Sequence, residues 1–137
     1  GAGSQLGWLL WADALPVELR PAFARRLCAS DVLCDWGLRT LSAQHPCFAP
    51  GAYHRGAVWP FDSWLGWGGL RAAGREDDAE RVRSGVLAAL AILGDAPECY
   101  AATPAGPVRP AIANRVQAWT VGARWALERR WDGRVRA

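Results

Sequence analysis

The chain has 137 residues, which is enough for one domain and too few for two domains with separate hydrophobic cores. About half of the residues (51%) are apolar, but no run of about 18 or more is, so the sequence predicts no membrane span. A formal net charge of +3 is too small to indicate nucleic-acid binding by itself. We therefore expect one domain over residues 1–137, with neither a membrane nor a nucleic acid as its partner.

The cysteines and the N-terminus bear on the compartment. The N-terminus lacks the charged region and the apolar run of a secretory signal peptide. The four cysteines, Cys28, Cys34, Cys47 and Cys99, form no CxxC pair, so we interpret them as reduced thiols of a cytoplasmic protein. His45 lies two residues before Cys47, but no second ligand pair follows at metal-site spacing. We expect neither a metal nor a cofactor.

Two amphipathic segments open the chain. The first, SQLGWLLWADAL, begins at Ser4, a residue type that caps helix N-termini, and ends before Pro16. The second, VELRPAFARRLCA, repeats large apolar residues at every fourth position and carries Pro21 in its first turn, where proline is tolerated. We expect an antiparallel helical hairpin.

A long segment with little periodicity follows, from Ser30 to Pro60. It contains three prolines, yet it is rich in aromatic residues and leucine, which argues against disorder. Connections of this length inside a compact domain usually serve a function. We predict a functional loop.

Three further helices are predicted. One runs from Asp62 to Ala73, and a longer one spans the segment REDDAERVRSGVLAALAILG, with an acidic first turn and Gly94 as its C-cap. The apolar stripe of this longer helix consists of Val82, Val86, Leu87, Leu90 and Leu93. A second loop, Asp95 to Ala113, carries four prolines, and Asn114 is predicted to cap the last helix. No segment shows the alternation of a strand.

The pattern predicts an all-α fold of about five helices, in which long loops gather on one face. Functional residues concentrate on loops that a rigid scaffold holds, so we expect the site on that face. Helical spacing indicates that Trp8, Trp11, Trp125 and Trp131 are core residues. The arginine-rich end, Arg124 to Ala137, could bind phosphate, but we favour the solvated end of a helix.

Aromatic and hydrogen-bonding residues cluster at the long loops. Tyr53, His54, Arg55, Trp59 and Asp62 form one group, and Asn114, Gln117 and Trp119 form another. A pyranose ring packs its C–H faces on aromatic rings and needs donors and acceptors around its rim, so this mixture suits a sugar. Glu98, in an irregular segment beside Tyr100, could be a general base or a simple loop carboxylate.

The ordered motifs WGLRTLS, YHRGAVWPFDSWL, PECY and QAWTVGA resemble the C-terminal part of bacterial glycogen-debranching, amylo-α-1,6-glucosidase-type glycoside hydrolases. The resemblance covers nearly the whole chain. It implies part of an (α/α)6 toroid and an inverting α-glucosidase acting on α-1,6-linked glucose of glycogen-like glucans or oligosaccharides. It also implies that Glu98 is the general base.

The resemblance also assigns the sugar pocket. The substrate-binding residues that it implies are Tyr53, His54, Arg55, Trp59, Asp62, Gln117 and Trp119, together with Trp36 and Arg39, for which structural and binding roles are harder to separate. Around the expected base, this chain has Ala96 and Cys99 where the family usually has leucines.

The general acid of the resembled family is an aspartate from the earlier half of the toroid, and no residue here matches it. We therefore expect the C-terminal portion of a catalytic domain, with apolar edges that pair with the missing N-terminal half or self-associate. Two other hypotheses remain open. The chain could be a non-catalytic carbohydrate-binding module, or a structural helical module whose tryptophans are all core.

Overall fold

The structure, a computed structural model, describes residues 1–134. Its five helices are α1 (Gln5–Trp11), α2 (Arg20–Leu27), α3 (Pro60–Ala72), α4 (Glu76–Leu93) and α5 (Ala118–Glu128). Four short strands form two antiparallel hairpins, β1 (Leu33–Cys34) with β2 (Gly37–Leu38) and β3 (Ala101–Thr103) with β4 (Gly106–Val108). The predicted all-α class with about five helices is confirmed.

Helices α1, α3 and α5 lie side by side, because α3 packs against both of the others. Helix α2 packs on α1, and α4 packs on α3. This is the layered arrangement of helical hairpins that part of an α/α toroid requires. None of the helices in residues 1–134 is both long enough and apolar enough to cross a bilayer.

Helix α4 follows its sequence pattern closely. Three acidic residues occupy its first turn, where they offset the positive end of the helix dipole. The predicted stripe buries Val82, Val86 and Leu90 completely, and Leu87 and Leu93 partly. Gly94 ends the helix in the left-handed region, with φ 70°, and its N–H bonds to the Leu90 carbonyl at 3.1 Å.

Three local predictions are wrong. The two long loops contain the short hairpins β1–β2 and β3–β4, although the sequence showed no strand alternation. Ser4 precedes α1 as predicted, but its hydroxyl donates to the Asp62 carboxylate at 2.8 Å and caps no helical N–H group. Asn114 is no helix cap either, because the backbone around it pairs with residues 96–98 and α5 begins only at Ala118.

The expectation for the helical tryptophans is also wrong. Trp8, Trp125 and Trp131 are between 42% and 48% exposed, and Trp11 is half-buried. The fully buried tryptophan is Trp67 on α3, at 1% exposure. Helical spacing correctly identified an apolar face, but no described element covers the face of the α1–α3–α5 layer on which the exposed rings lie.

Close contacts at glycines set the distance between α1 and α3. A Cβ atom on Gly7 would lie 2.4 Å from the Gly66 Cα, and one on Gly69 would lie 2.6 Å from the Gly7 carbonyl oxygen. The backbones of the two helices therefore touch at this crossing. Any larger side chain on Gly7 has to push α1 away from α3.

We predict that Gly7→Ala lowers the free energy of unfolding by about 1–3 kcal/mol, because the added methyl group overpacks the crossing. The matched control is Gly122→Ala in α5, where an added Cβ meets nothing within 4 Å. This control should raise stability by about 0.5–1 kcal/mol through the helix propensity of alanine. Urea denaturation measures both values. An unchanged Gly7→Ala midpoint would contradict the close crossing.

Candidate active site

Three separate stretches of backbone meet at Glu98. The residue before Trp59, Val58, exchanges hydrogen bonds with Tyr100 at 2.8 and 3.0 Å. On the other side, the Glu98 N–H donates to the Asn114 carbonyl at 3.0 Å, and the Gln117 N–H donates to the Ala96 carbonyl at 2.9 Å. This pairing joins the loop predicted to be functional, residues 30–60, and the second predicted loop, residues 95–113, to the start of α5.

Glu98 is a buried carboxylate, only 6% exposed, that is surrounded by hydrogen-bond donors. Its Oε2 accepts from the backbone N–H and from the side-chain amide of Asn114, both at 3.3 Å. Its Oε1 accepts from the Gln117 amide at 3.4 Å. A buried charge is tolerated only with such partners, so the surroundings of Glu98 are built for an ionised group.

The ionisation of the site follows from these bonds. The neighbouring Tyr53 hydroxyl lowers the pKa of Glu98 below its ordinary value of 4.5, and the Asn114 and Gln117 donors act in the same direction against the effect of burial. In turn, the Glu98 carboxylate and burial raise the pKa of Tyr53 to about 12. At neutral pH the pair is therefore a carboxylate and a neutral phenol.

Aromatic rings continue from Tyr53 away from the carboxylate. The Trp59 ring meets the Tyr53 ring edge to face, with centroids 4.6 Å apart, and stacks on His54 at 5.4 Å. Its indole N–H donates to the Tyr53 carbonyl at 2.8 Å, which fixes the orientation of the ring. The ring centroid of Trp119 lies 6.3 Å from that of Trp59, and Trp119 is 46% exposed. Rigid rings with exposed surface, beside donors and a carboxylate, form the type of surface that binds a sugar ring.

Asp62 lies at the edge of this cluster, in the first turn of α3. It accepts hydrogen bonds from the Ser4 hydroxyl at 2.8 Å and the Trp8 indole at 3.1 Å, so it ties α1 to α3. Burial raises the pKa of Asp62, while these two donors and the nearby His54 oppose the rise. Asp62 therefore has a structural role here, and its sugar-binding role stays a prediction.

The remaining predicted residues are more dispersed. Arg55 is exposed in the same turn as His54. Trp36 and Arg39 line a separate cavity of about 160 Å³ with Thr103 and neighbouring residues. The Trp36 carbonyl accepts a hydrogen bond from the hydroxyl of Tyr100, two residues after Glu98, at 2.6 Å. The structure thus groups Tyr53, His54, Trp59, Gln117 and Trp119 around Glu98 and places Trp36 and Arg39 apart.

The sequence groups Asn114 with Gln117 and Trp119 at a candidate sugar site and also predicts it as a helix cap, but it does not predict a contact with Glu98. In the structure, the backbone and the side chain of Asn114 both bind Glu98 from 16 positions away. No periodicity encodes such a pairing. The available signal was the recurrence of amides three residues apart, Asn114 and Gln117, in a loop that follows the predicted base.

Other described groups add little chemistry. Among residues 1–134, no cluster of three His, Cys, Asp or Glu side chains could hold a metal ion. In the arginine-rich end, Arg124 pairs with Glu128 at 2.9 Å and Arg130 with Glu80 at 2.9 Å, while Arg129 stacks over Trp125. Residues 135–137 of that segment lie outside the described residues. A larger cavity, of about 350 Å³ and mainly apolar, lies between α1 and α2 and includes none of the predicted site residues.

Comparison with known families identifies the class of reaction but not the substrate. Residues 3–103 match the family model of the mannosylglycerate hydrolase MGH1-like glycoside hydrolase domain, which is about three-quarters of the chain. The chain belongs to this family. It is a glycoside hydrolase domain of the (α/α)6-toroid type, so the reaction class and the fold type that the resemblance implies are confirmed.

No curated protein sequence matches the chain closely enough to count as a relative. The match includes Tyr53, Trp59 and Glu98 and ends before Asn114 and Gln117.

Proposed function

We propose that this domain contributes the general base of an inverting glycoside hydrolase and that Glu98 is that base. The observation that carries the proposal is the geometry around Glu98: a buried, ionised carboxylate beside the ring cluster of Tyr53, Trp59 and Trp119. An inverting enzyme needs one carboxylate to activate water and one carboxylic acid to protonate the leaving group. The lowered pKa of Glu98 suits the first role and not the second.

In the proposed reaction, one sugar ring packs on the indole of Trp59. Gln117, His54 and Arg55 bind its hydroxyl groups. A water molecule attacks the anomeric carbon from the face opposite the leaving group while Glu98 takes a proton from that water. The bond to the leaving oxygen breaks, and a carboxylic acid gives that oxygen a proton. The products are a sugar of inverted anomeric configuration and an alcohol.

The proposed general acid comes from the rest of the ring. Six helical hairpins make an (α/α)6 toroid, and the described residues contain five helices. The uncovered face of the α1–α3–α5 layer is where the remaining hairpins would pack. This aromatic face consists of the exposed Trp8, Trp119, Trp125 and Trp131 and the half-buried Phe61 and Trp64, in contact ring by ring. We propose that residues 1–137 are the C-terminal portion of the catalytic domain.

Two candidate substrates are each supported by a different observation. The motifs shared with debranching enzymes favour α-1,6-linked glucose at the branch stubs of glycogen-like glucans. The family name refers to a mannosylglycerate hydrolase, and glycerate carries a carboxylate that a cation would bind. Arg55, exposed beside His54, is the cation that could select such an acidic leaving group. We favour the α-1,6-glucoside because the motifs that resemble debranching enzymes extend over nearly the whole chain.

We predict that the chain hydrolyses α-D-glucosyl fluoride although its proposed general acid belongs to the rest of the ring, because fluoride leaves without being protonated. Glu98→Gln should lower this rate by about 10²-fold or more, the usual contribution of a general base. Sugar binding, followed by tryptophan fluorescence, should persist in the same variant. Fluoride release and ¹H NMR of the product measure the rate and the anomeric configuration.

The matched control for this experiment is Glu18→Gln, an exposed glutamate far along the chain from the site. A parallel assay with α-D-mannosyl fluoride separates the two substrates, since the preferred sugar should react faster. Full activity of Glu98→Gln would exclude Glu98 as the base. Binding without hydrolysis of either fluoride would favour the carbohydrate-binding module.

The aromatic face generates a second prediction. Without its partner hairpins, the chain should self-associate reversibly in sedimentation velocity, because several exposed tryptophans form one apolar patch. The double variant Trp119→Ser, Trp125→Ser should weaken the association. Ile92→Ser removes an exposed apolar side chain, 62% exposed on α4, outside the patch and should leave it unchanged. A monodisperse monomer that melts cooperatively would contradict the partial ring.

A further inference from the structure

Glu98 and Asn114 are joined by three hydrogen bonds. The Glu98 N–H donates to the Asn114 carbonyl at 3.0 Å. In the opposite direction, the backbone N–H and the side-chain amide of Asn114 both donate to Oε2 of Glu98 at 3.3 Å. The residue that pairs with the Glu98 backbone therefore also holds its side chain, so the carboxylate is fixed relative to the main chain of both stretches.

The two oxygens of the Glu98 carboxylate have different surroundings. A carboxylate offers about four lone-pair sites, two on each oxygen. The two Asn114 donors fill those of Oε2, and one of these donors is a backbone N–H that cannot turn away. Oε1 accepts the side-chain amide of Gln117 at 3.4 Å. A water molecule that donates a hydrogen bond to Glu98 therefore has to bind at Oε1.

Protonation of Glu98 distinguishes the two oxygens further. The oxygen that takes the proton becomes a hydroxyl donor, while the other one remains an acceptor. A proton on Oε2 would meet the two N–H groups of Asn114, which cannot accept it, and a buried donor without an acceptor is costly. A proton on Oε1 meets the Gln117 amide, which is a single and longer contact. The acid form of Glu98 is therefore more stable with its proton on Oε1.

We propose that Asn114 is a positioning residue that makes Oε1 of Glu98 the atom that takes the proton from the attacking water. Asn114 holds Oε2 as an acceptor before and after the transfer, so the carboxyl group does not have to rotate. In this step an O–H bond of the water breaks and a new one forms on Oε1, while the water oxygen bonds to the anomeric carbon and the leaving oxygen departs with its bonding pair. The inference rests on the proposed role of Glu98 as the base.

The first test uses Glu98→Gln, which imitates at neutral pH a carboxyl group protonated on one oxygen. The introduced amide has one accepting oxygen and one donating nitrogen, so its oxygen should take the place of Oε2 and its nitrogen that of Oε1. Asn114 is the only asparagine in the chain and Gln117 is one of three glutamines, so selective ¹⁵N labelling makes both amides observable by NMR.

We expect the Gln117 side-chain amide to lose its acceptor in this variant, whereas both Asn114 donors keep theirs. Between wild type and Glu98→Gln, the Gln117 amide proton signals should therefore shift more than the side-chain and backbone N–H signals of Asn114. Asn114 shifts as large as those of Gln117, or larger, would place the donating group at Oε2 and overturn the proposal. This measurement needs neither a sugar nor turnover.

The second test is the hydrolysis of α-D-glucosyl fluoride by Asn114→Ala, which keeps the backbone donor and removes the side-chain donor. We expect kcat to fall by roughly 10–10²-fold with KM little changed, since a catalytic group displaced by about 1 Å can cost 10²-fold. The same change should raise the pKa of Glu98, because a donor to the charged form is lost. A higher pKa alone makes a stronger base, so a lower kcat reports lost positioning.

The matched control is Gln44→Ala, which removes an exposed amide from residues 30–60 and should leave kcat and KM unchanged. An unchanged kcat in folded Asn114→Ala, with an active wild type, would overturn this inference and leave the proposed function standing. A folded wild-type chain that does not hydrolyse the fluoride would overturn the proposed function, and this inference with it.

Discussion

The site depends on the backbone pairing that brings three distant stretches of the chain together at Glu98. Val58 pairs with Tyr100, and the segment that contains Glu98 pairs with the one that contains Asn114. These bonds satisfy backbone groups in loops that would otherwise be buried without partners. They also fix the side chains that alternate along each stretch. The carboxylate, its donors and the aromatic rings are therefore positioned by a few main-chain hydrogen bonds on a helical scaffold.

The scaffold has one covered face and one uncovered face. Close contact at Gly7 and Gly66 lets α1 and α3 pack backbone to backbone, while the buried stripe of α4 forms the core on which α3 rests. The aromatic face has no such cover among the described residues, yet the indole N–H groups of Trp8 and Trp64 are already bonded within the chain. What remains exposed there is mainly apolar ring surface, which suits packing against further helices. The same layer thus supports a site for sugar and a face for the rest of the ring.

Sequence patterns predicted the helices better than the strands. The stripe and Gly94 define α4 because both signals are local. Glu98 could be identified as a candidate since few carboxylates lie in the loops. The pairing of Asn114 with Glu98 could not, because it joins residues that are distant in sequence through the backbone. Tryptophan spacing identified a face of the helices, but periodicity contains no information on whether another element covers that face.

We propose that a sugar binds beside Glu98 on the rings of Tyr53 and Trp59. Intermolecular nuclear Overhauser effects between D-glucose or D-mannose and assigned aromatic protons test this binding site directly. We expect transfer from the sugar C–H protons to Tyr53 and Trp59, and none to the buried Trp67. Transfer confined to Trp125 and Trp131 on the aromatic face would place the sugar elsewhere and contradict a site beside Glu98.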